Sequence, residues 1–86
     1  MKKIVVIDRP FDMVKQFIVY EEDQKIESIP SGVSTFAEDL LALAAKHEVK
    51  QIDMFGPRAY LEGKKEQIYE HNLNKFSIND LEINII

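Results

Sequence analysis

Ile4-Val5-Val6-Ile7-Asp8-Arg9-Pro10 is the stretch that decides the fold. Four consecutive β-branched residues are stiff at χ1 and favour an extended backbone. An unbroken apolar run of this length predicts a central strand covered on both faces. Pro10 fixes its own φ and pushes Arg9 into an extended conformation, so the strand closes near Asp8 and a turn follows.

Reading outward from this strand, residues 14–20 contain Phe17, Ile18, Val19 and Tyr20, all strand-favouring, and run into Glu21-Glu22-Asp23. That acidic cluster predicts a hairpin turn with a solvated tip that could also meet a basic partner. Residues 25–29 alternate polar and apolar and are closed by Pro30-Ser31-Gly32, which suits an edge strand. The first third is thus read as a three-stranded antiparallel meander.

Helical patterns come next. Thr35-Phe36-Ala37-Glu38 matches a capping box, and Phe36, Leu40, Leu43 and His47 recur at helical spacing, with Ala37, Leu41 and Ala44 widening the stripe. This predicts a helix over residues 36–47. Residues 51–55, with Ile52, Met54 and Phe55, read as a short strand ending at Gly56-Pro57, where proline begins a second helix over residues 57–71. Its expected core side is Leu61, Ile68 and one of Tyr60 or Tyr69. Gly63 costs about 1 kcal/mol relative to alanine inside a helix, which predicts a close approach of the backbone to a neighbour. Residues 72–75 read as a loop. The apolar alternation then slips phase at Asn79-Asp80, and the chain ends in a strand carrying Ile83-Asn84-Ile85-Ile86.

The order strand, strand, strand, helix, strand, helix, strand predicts an α/β (α+β) domain. A right-handed crossover through the first helix lays the fourth strand beside the first, giving a mixed five-stranded sheet in the order 3-2-1-4-5 with two helices covering it. At 86 residues there is room for one domain, residues 1–86. A content of 45% hydrophobic and 30% charged residues is that of a chain able to fold alone.

Charge and cysteine content narrow the function classes. A formal net charge of −4 repels polyanions, which argues against general nucleic-acid binding. The absence of cysteine points to a reducing compartment. The N-terminal apolar run is too short for a signal peptide, and no run is long enough to cross a bilayer, so the expectation is a cytoplasmic protein without a membrane segment.

The topology resembles the ribonuclease H-like fold. The likeness is carried by residues 4–7 ending in Asp8, the meander of residues 14–29, and the strand of residues 51–55 with Asp53. Members with nuclease activity place one carboxylate on the first strand and another near the fourth, and the resemblance implies a magnesium or manganese site at Asp8 and Asp53. This sequence departs from the active pattern: Glu38 is accounted for as a capping residue, and Glu62, Glu66 and Glu70 fall on solvent-facing turns.

Each candidate residue also has a structural reading. Asp8 caps the following turn or pairs with Arg9 or Arg58, and Asp53 faces outward from a partly exposed strand. Gly56 and Arg58 lie between a strand's carboxyl end and a helix's amino end, where phosphate or a nucleotide would meet free amides and a planar cation; the structural reading is a plain helix start. His47 and His71 close helices, where positive charge is favoured. No cysteine exists, and the serines lie in no nucleophile elbow.

The leading expectation is a non-catalytic protein-interaction or regulatory module that self-associates, with the apolar C-terminal strand as an edge in need of a partner chain. The alternatives are a ribonuclease H-like metal-dependent enzyme using Asp8 and Asp53, and an anion-binding domain at Gly56 and Arg58.

Overall fold

A computed structural model of the chain describes residues 1–32 and 34–86. The elements are β1 (Lys2–Ile7), β2 (Val14–Glu21), β3 (Gln24–Gly32), α1 (Phe36–His47), β4 (Gln51–Phe55), α2 (Arg58–His71) and β5 (Glu82–Ile85). They form one five-stranded mixed sheet in the predicted order β3-β2-β1-β4-β5. The first three strands run antiparallel, with Ile4 opposite Val19 and Phe17 opposite Ile29. β4 lies parallel to β1, and β5 lies parallel to β4.

Side-chain alternation assigns the two faces of this sheet very different surroundings. Ile4, Val6, Phe17, Val19, Ile52, Met54 and Ile83 share one phase and are buried together with Phe36, Leu40, Leu41, Leu43 and Ala44 of α1 and Leu61 and Ile68 of α2. Both helices therefore lie on the same face. The other phase brings Val5, Ile18 and Asp53 side by side. There Val5, Ile18 and Tyr20 are half-buried, while Ile7 and Phe55 are 40% and 41% exposed. β1 is central in the sheet, yet it is covered on one face only, contrary to the reading of its apolar run. The fold is a two-layer sandwich of helices on a sheet.

Local chemistry departs from expectation at four places. Thr35 and Glu38 form no capping box: the Thr35 hydroxyl and the Ser31 hydroxyl both donate to Asp39 at 2.7 Å, and Glu38 pairs with Lys75. A carboxylate one turn inside the helix thus collects both hydroxyls, tying the end of β3 to α1. After α2 the chain does not become a loop but continues through a π-helical turn, Asn72–Phe76. Asn72 clamps it shut, accepting from the Ile78 amide at 2.9 Å and donating to the Ile78 carbonyl at 3.1 Å. Phe76 consequently packs against His71 rather than lying in a strand. Both Tyr60 and Tyr69 pack against the core rather than only one.

The fourth departure concerns the glycines. Gly63 faces open space, since a Cβ there would meet nothing within 4 Å. Gly56 is the glycine that close approach requires: a Cβ would lie 2.1 Å from the Asp8 carbonyl oxygen. Substituting alanine at Gly63 should stabilise the protein by about 1 kcal/mol through helix propensity. Alanine at Gly56 should cost on the order of 1–3 kcal/mol through overpacking. Urea unfolding of the two variants checks this opposition of sign.

Across the β3–α1 seam, Glu27 is flanked by His47 Nε2 and by Lys46 Nζ at 3.2 Å. The hydrogen bond from His47, then that from Lys46, hold the Glu27 carboxyl below its usual range. A depressed carboxyl contributes stability above the ordinary value near 4.5 and loses it as pH falls through the lower folded value. The stability advantage of the wild type over Glu27→Gln, followed by thermal melts, should therefore hold at neutral pH and shrink on acidification below that value.

Candidate functional site

The alternation that buries Phe17 and Val19 also turns Lys15 inward, at the start of β2. Its side chain is 1% exposed, and it meets Asp8, 0% exposed, with Nζ 2.9 Å from Oδ1. The ammonium also donates to the Arg9 carbonyl at 2.7 Å and the Asp12 carbonyl at 2.6 Å. Three donors thus meet three acceptors, and Lys15 acts on the Arg9-to-Asp12 turn much as a bound cation would. The Tyr60 hydroxyl, from the first turn of α2, donates to the same Asp8 Oδ1 at 3.1 Å. Asp8 Oδ2 is buried without a partner.

Burial alone would lower the Lys15 pKa, but the hydrogen bond and negative charge of Asp8 outweigh it and raise the value. Burial, then the Asp8 carboxylate, raises the Tyr60 pKa as well. Both groups therefore keep their protons through the neutral range and favour the folded state until alkaline pH. Closed to solvent, Asp8 and Lys15 cannot touch a substrate. Their work is to join β1, β2 and α2 and to set the turn. The partners named for Asp8 from sequence, Arg9 and Arg58, are engaged elsewhere: Arg9 with Asp12 at 2.9 Å, Arg58 with Glu62 at 3.9 Å and with the Ile85 carbonyl at 3.3 Å.

Asp53 sits on the opposite face of the sheet, beside Val5. It is 7% exposed, accepts from Asn84 Nδ2 at 3.2 Å and Gln51 Nε2 at 3.3 Å, and lies 3.6 Å from Lys3 Nζ. Asp8 points to the helices and Asp53 away from them, so the structure does not bring the two carboxylates together. Among the described residues, no group of three histidine, aspartate or glutamate side chains stands ready to hold a metal ion. Gly56 is accounted for by its approach to Asp8, and Arg58 by its ties to Glu62 and β5. His47 pairs with Glu27, and His71 tilts against Phe76 with ring centroids 5.9 Å apart.

What remains is surface. β5 is an edge strand, as expected, but α2 blunts it: the Ile83 amide, pointing away from β4, donates to the Tyr69 hydroxyl at 3.1 Å, and Arg58 takes the Ile85 carbonyl. The other edge, β3, carries Lys25, Glu27 and Pro30, which discourage pairing. The uncovered face keeps its apolar side chains, and Ile7, Val14, Phe55 and Ile86 are well exposed at the end of the sheet beside the Arg9-to-Asp12 turn. Phe11 and Met13, at that turn, are 94% and 77% exposed. Among the described residues, no helix is long and apolar enough to cross a membrane.

No protein-family model matches the chain, and no curated protein matches it.

Sequence reasoning expected the turn after Asp8 but missed Lys15 and the exposure of Phe11 and Met13 on that turn. The signal for Lys15 was its phase, two residues before Phe17 on a strand that alternates. Removing the ammonium leaves a buried carboxylate unpaired, so Lys15→Met should cost about 3–5 kcal/mol, whereas Tyr60→Phe, which removes one neutral donor, should cost about 1 kcal/mol. In the double variant Asp8→Leu/Lys15→Met the loss should be smaller than in Lys15→Met alone, as chemical denaturation would show.

Proposed function

We propose that the protein is a non-catalytic interaction module that pairs with a second copy of itself through the uncovered face of the sheet. One observation carries this reading: Val5, Ile7, Ile18, Tyr20 and Phe55 form an apolar surface across three adjacent strands, with Ile7 and Phe55 about 40% exposed. Contiguous apolar surface of this kind on a small domain marks a contact site. The expected edge-strand route to association is disfavoured by the Tyr69 and Arg58 bonds to β5. The face route has no such obstruction.

Net charge opposes a self-partner except through a neutral surface. Each copy carries −4, so two copies meet best through a surface that is close to neutral. The polar residues set within this face, Lys3 and Asp53, compensate each other. Fully burying a large apolar side chain stabilises by about 1.5–3 kcal/mol, while association costs at least ~4 kcal/mol, so several partly exposed residues must act together.

Light scattering across a concentration series should show the mass rising from 10.0 kDa toward twice that value. Phe55→Asp, which places a charge on the face beside Ile7 without disturbing the core, should remain at 10.0 kDa throughout. A wild type that stays monomeric at millimolar concentration sinks the reading.

A further inference from the structure

The exposed turn between β1 and β2 lies at one end of the sheet, and a hollow on the uncovered face runs from Phe55 toward the hairpin tip at the other. Arg9, Phe11 and Met13 are exposed on the turn, and these residue types are enriched at interface centres. The turn is stiff for its exposure, because Lys15 holds the carbonyls of Arg9 and Asp12 and Arg9 Nε donates to Asp12 at 2.9 Å. A side chain presented on an ordered turn loses little entropy on docking. The hollow, about 310 Å³, is walled by Val5, Tyr20 and Phe55 with Lys3, and rimmed by Glu22 and Asp23 of the hairpin tip. The turn and the acidic rim of the hollow lie at opposite ends of the β1–β2 pair, since Ile7 is opposite Gln16 and Lys2 is opposite Glu21.

We infer that two copies pack face to face with strands antiparallel, so that Phe11 of each copy enters the hollow of the other and Arg9 meets the acidic hairpin tip. This rests on the self-association proposed above and adds its geometry. A two-fold axis lying between the faces and across the strands brings both turns onto both hollows at once, a closed arrangement. Charge selects it over the parallel alternative. With strands parallel, Glu21, Glu22 and Asp23 of one copy stack on those of the other; with strands antiparallel, they meet Arg9.

The chain has no cysteine, so introduced thiols report without background. Copies carrying Met13→Cys are mixed with copies carrying Asp23→Cys under mild oxidation, and the cross-linked species are separated by mass spectrometry. Disulfides joining position 13 to position 23 should outnumber 13–13 and 23–23 links severalfold. In sedimentation, Arg9→Glu should weaken the wild-type dimer about tenfold, and adding Asp23→Arg in the same chain should restore it. Dominant 13–13 links, or a dimer that forms no 13–23 link, overturn the antiparallel arrangement while leaving self-association standing. A strictly monomeric protein overturns both.

Discussion

The constraint on which the structure depends is the period-two alternation of a sheet that has both helices on one side. The inward phase of Ile4, Phe17 and Ile52 supplies the sheet's share of the core, and the phase of Val5, Ile18 and Asp53 lies on the other face. Two helices of 12 and 14 residues cannot coat both faces of five strands. The placement of each candidate residue follows from this parity. Asp8 and Lys15 fall on the buried side, where a charge is tolerated only when it is paired, and each supplies the other's partner. Asp53 falls on the open side, where Lys3, Gln51 and Asn84 hold it.

Lys15 gives the buried side a polar joint between strands and helix. Its ammonium gathers a carboxylate and two carbonyls within 2.9 Å, and through Asp8 it reaches the Tyr60 hydroxyl on α2. Gly56 completes the same corner by letting the chain between β4 and α2 pass directly against Asp8. Core stability and surface chemistry are linked at this point, because the turn that Lys15 fixes is also the one that displays Phe11 and Met13. The edge strands are meanwhile protected by Tyr69 and Arg58 on one side and by charges and Pro30 on the other. The uncovered face is left as the surface best suited to a partner.

Much of the architecture was legible in the sequence. The β-branched run at residues 4–7, the hairpin at Glu21-Glu22-Asp23 and the helical stripe from Phe36 to Ala44 sufficed for the strand order 3-2-1-4-5. Less legible was anything that depends on which side of the sheet a crossover takes. Four apolar residues in a row suit a strand covered on both faces and equally one covered on a single face, so the residues 4–7 run could not separate them. The capping-box pattern at Thr35 failed because Asp39 competes for the hydroxyl, and the Asn72–Phe76 turn was hidden because a side-chain clamp onto Ile78 has no periodic signature. Among the site candidates, the spacing of Asp8 and Asp53 along the chain concealed their opposite orientation. Lys15 was overlooked because a lone lysine in a strand is ordinarily read as solvent-facing.

The most direct measurement is attack by a soluble paramagnetic probe on the methyl signals of Val5, Ile7 and Ile18, recorded at low and high protein concentration. The account predicts strong broadening in the dilute sample and protection in the concentrated one, while Leu73, exposed on the π-helical turn, stays broadened in both. Equal broadening of all four at every concentration would show that no second copy covers the open face and would contradict the account.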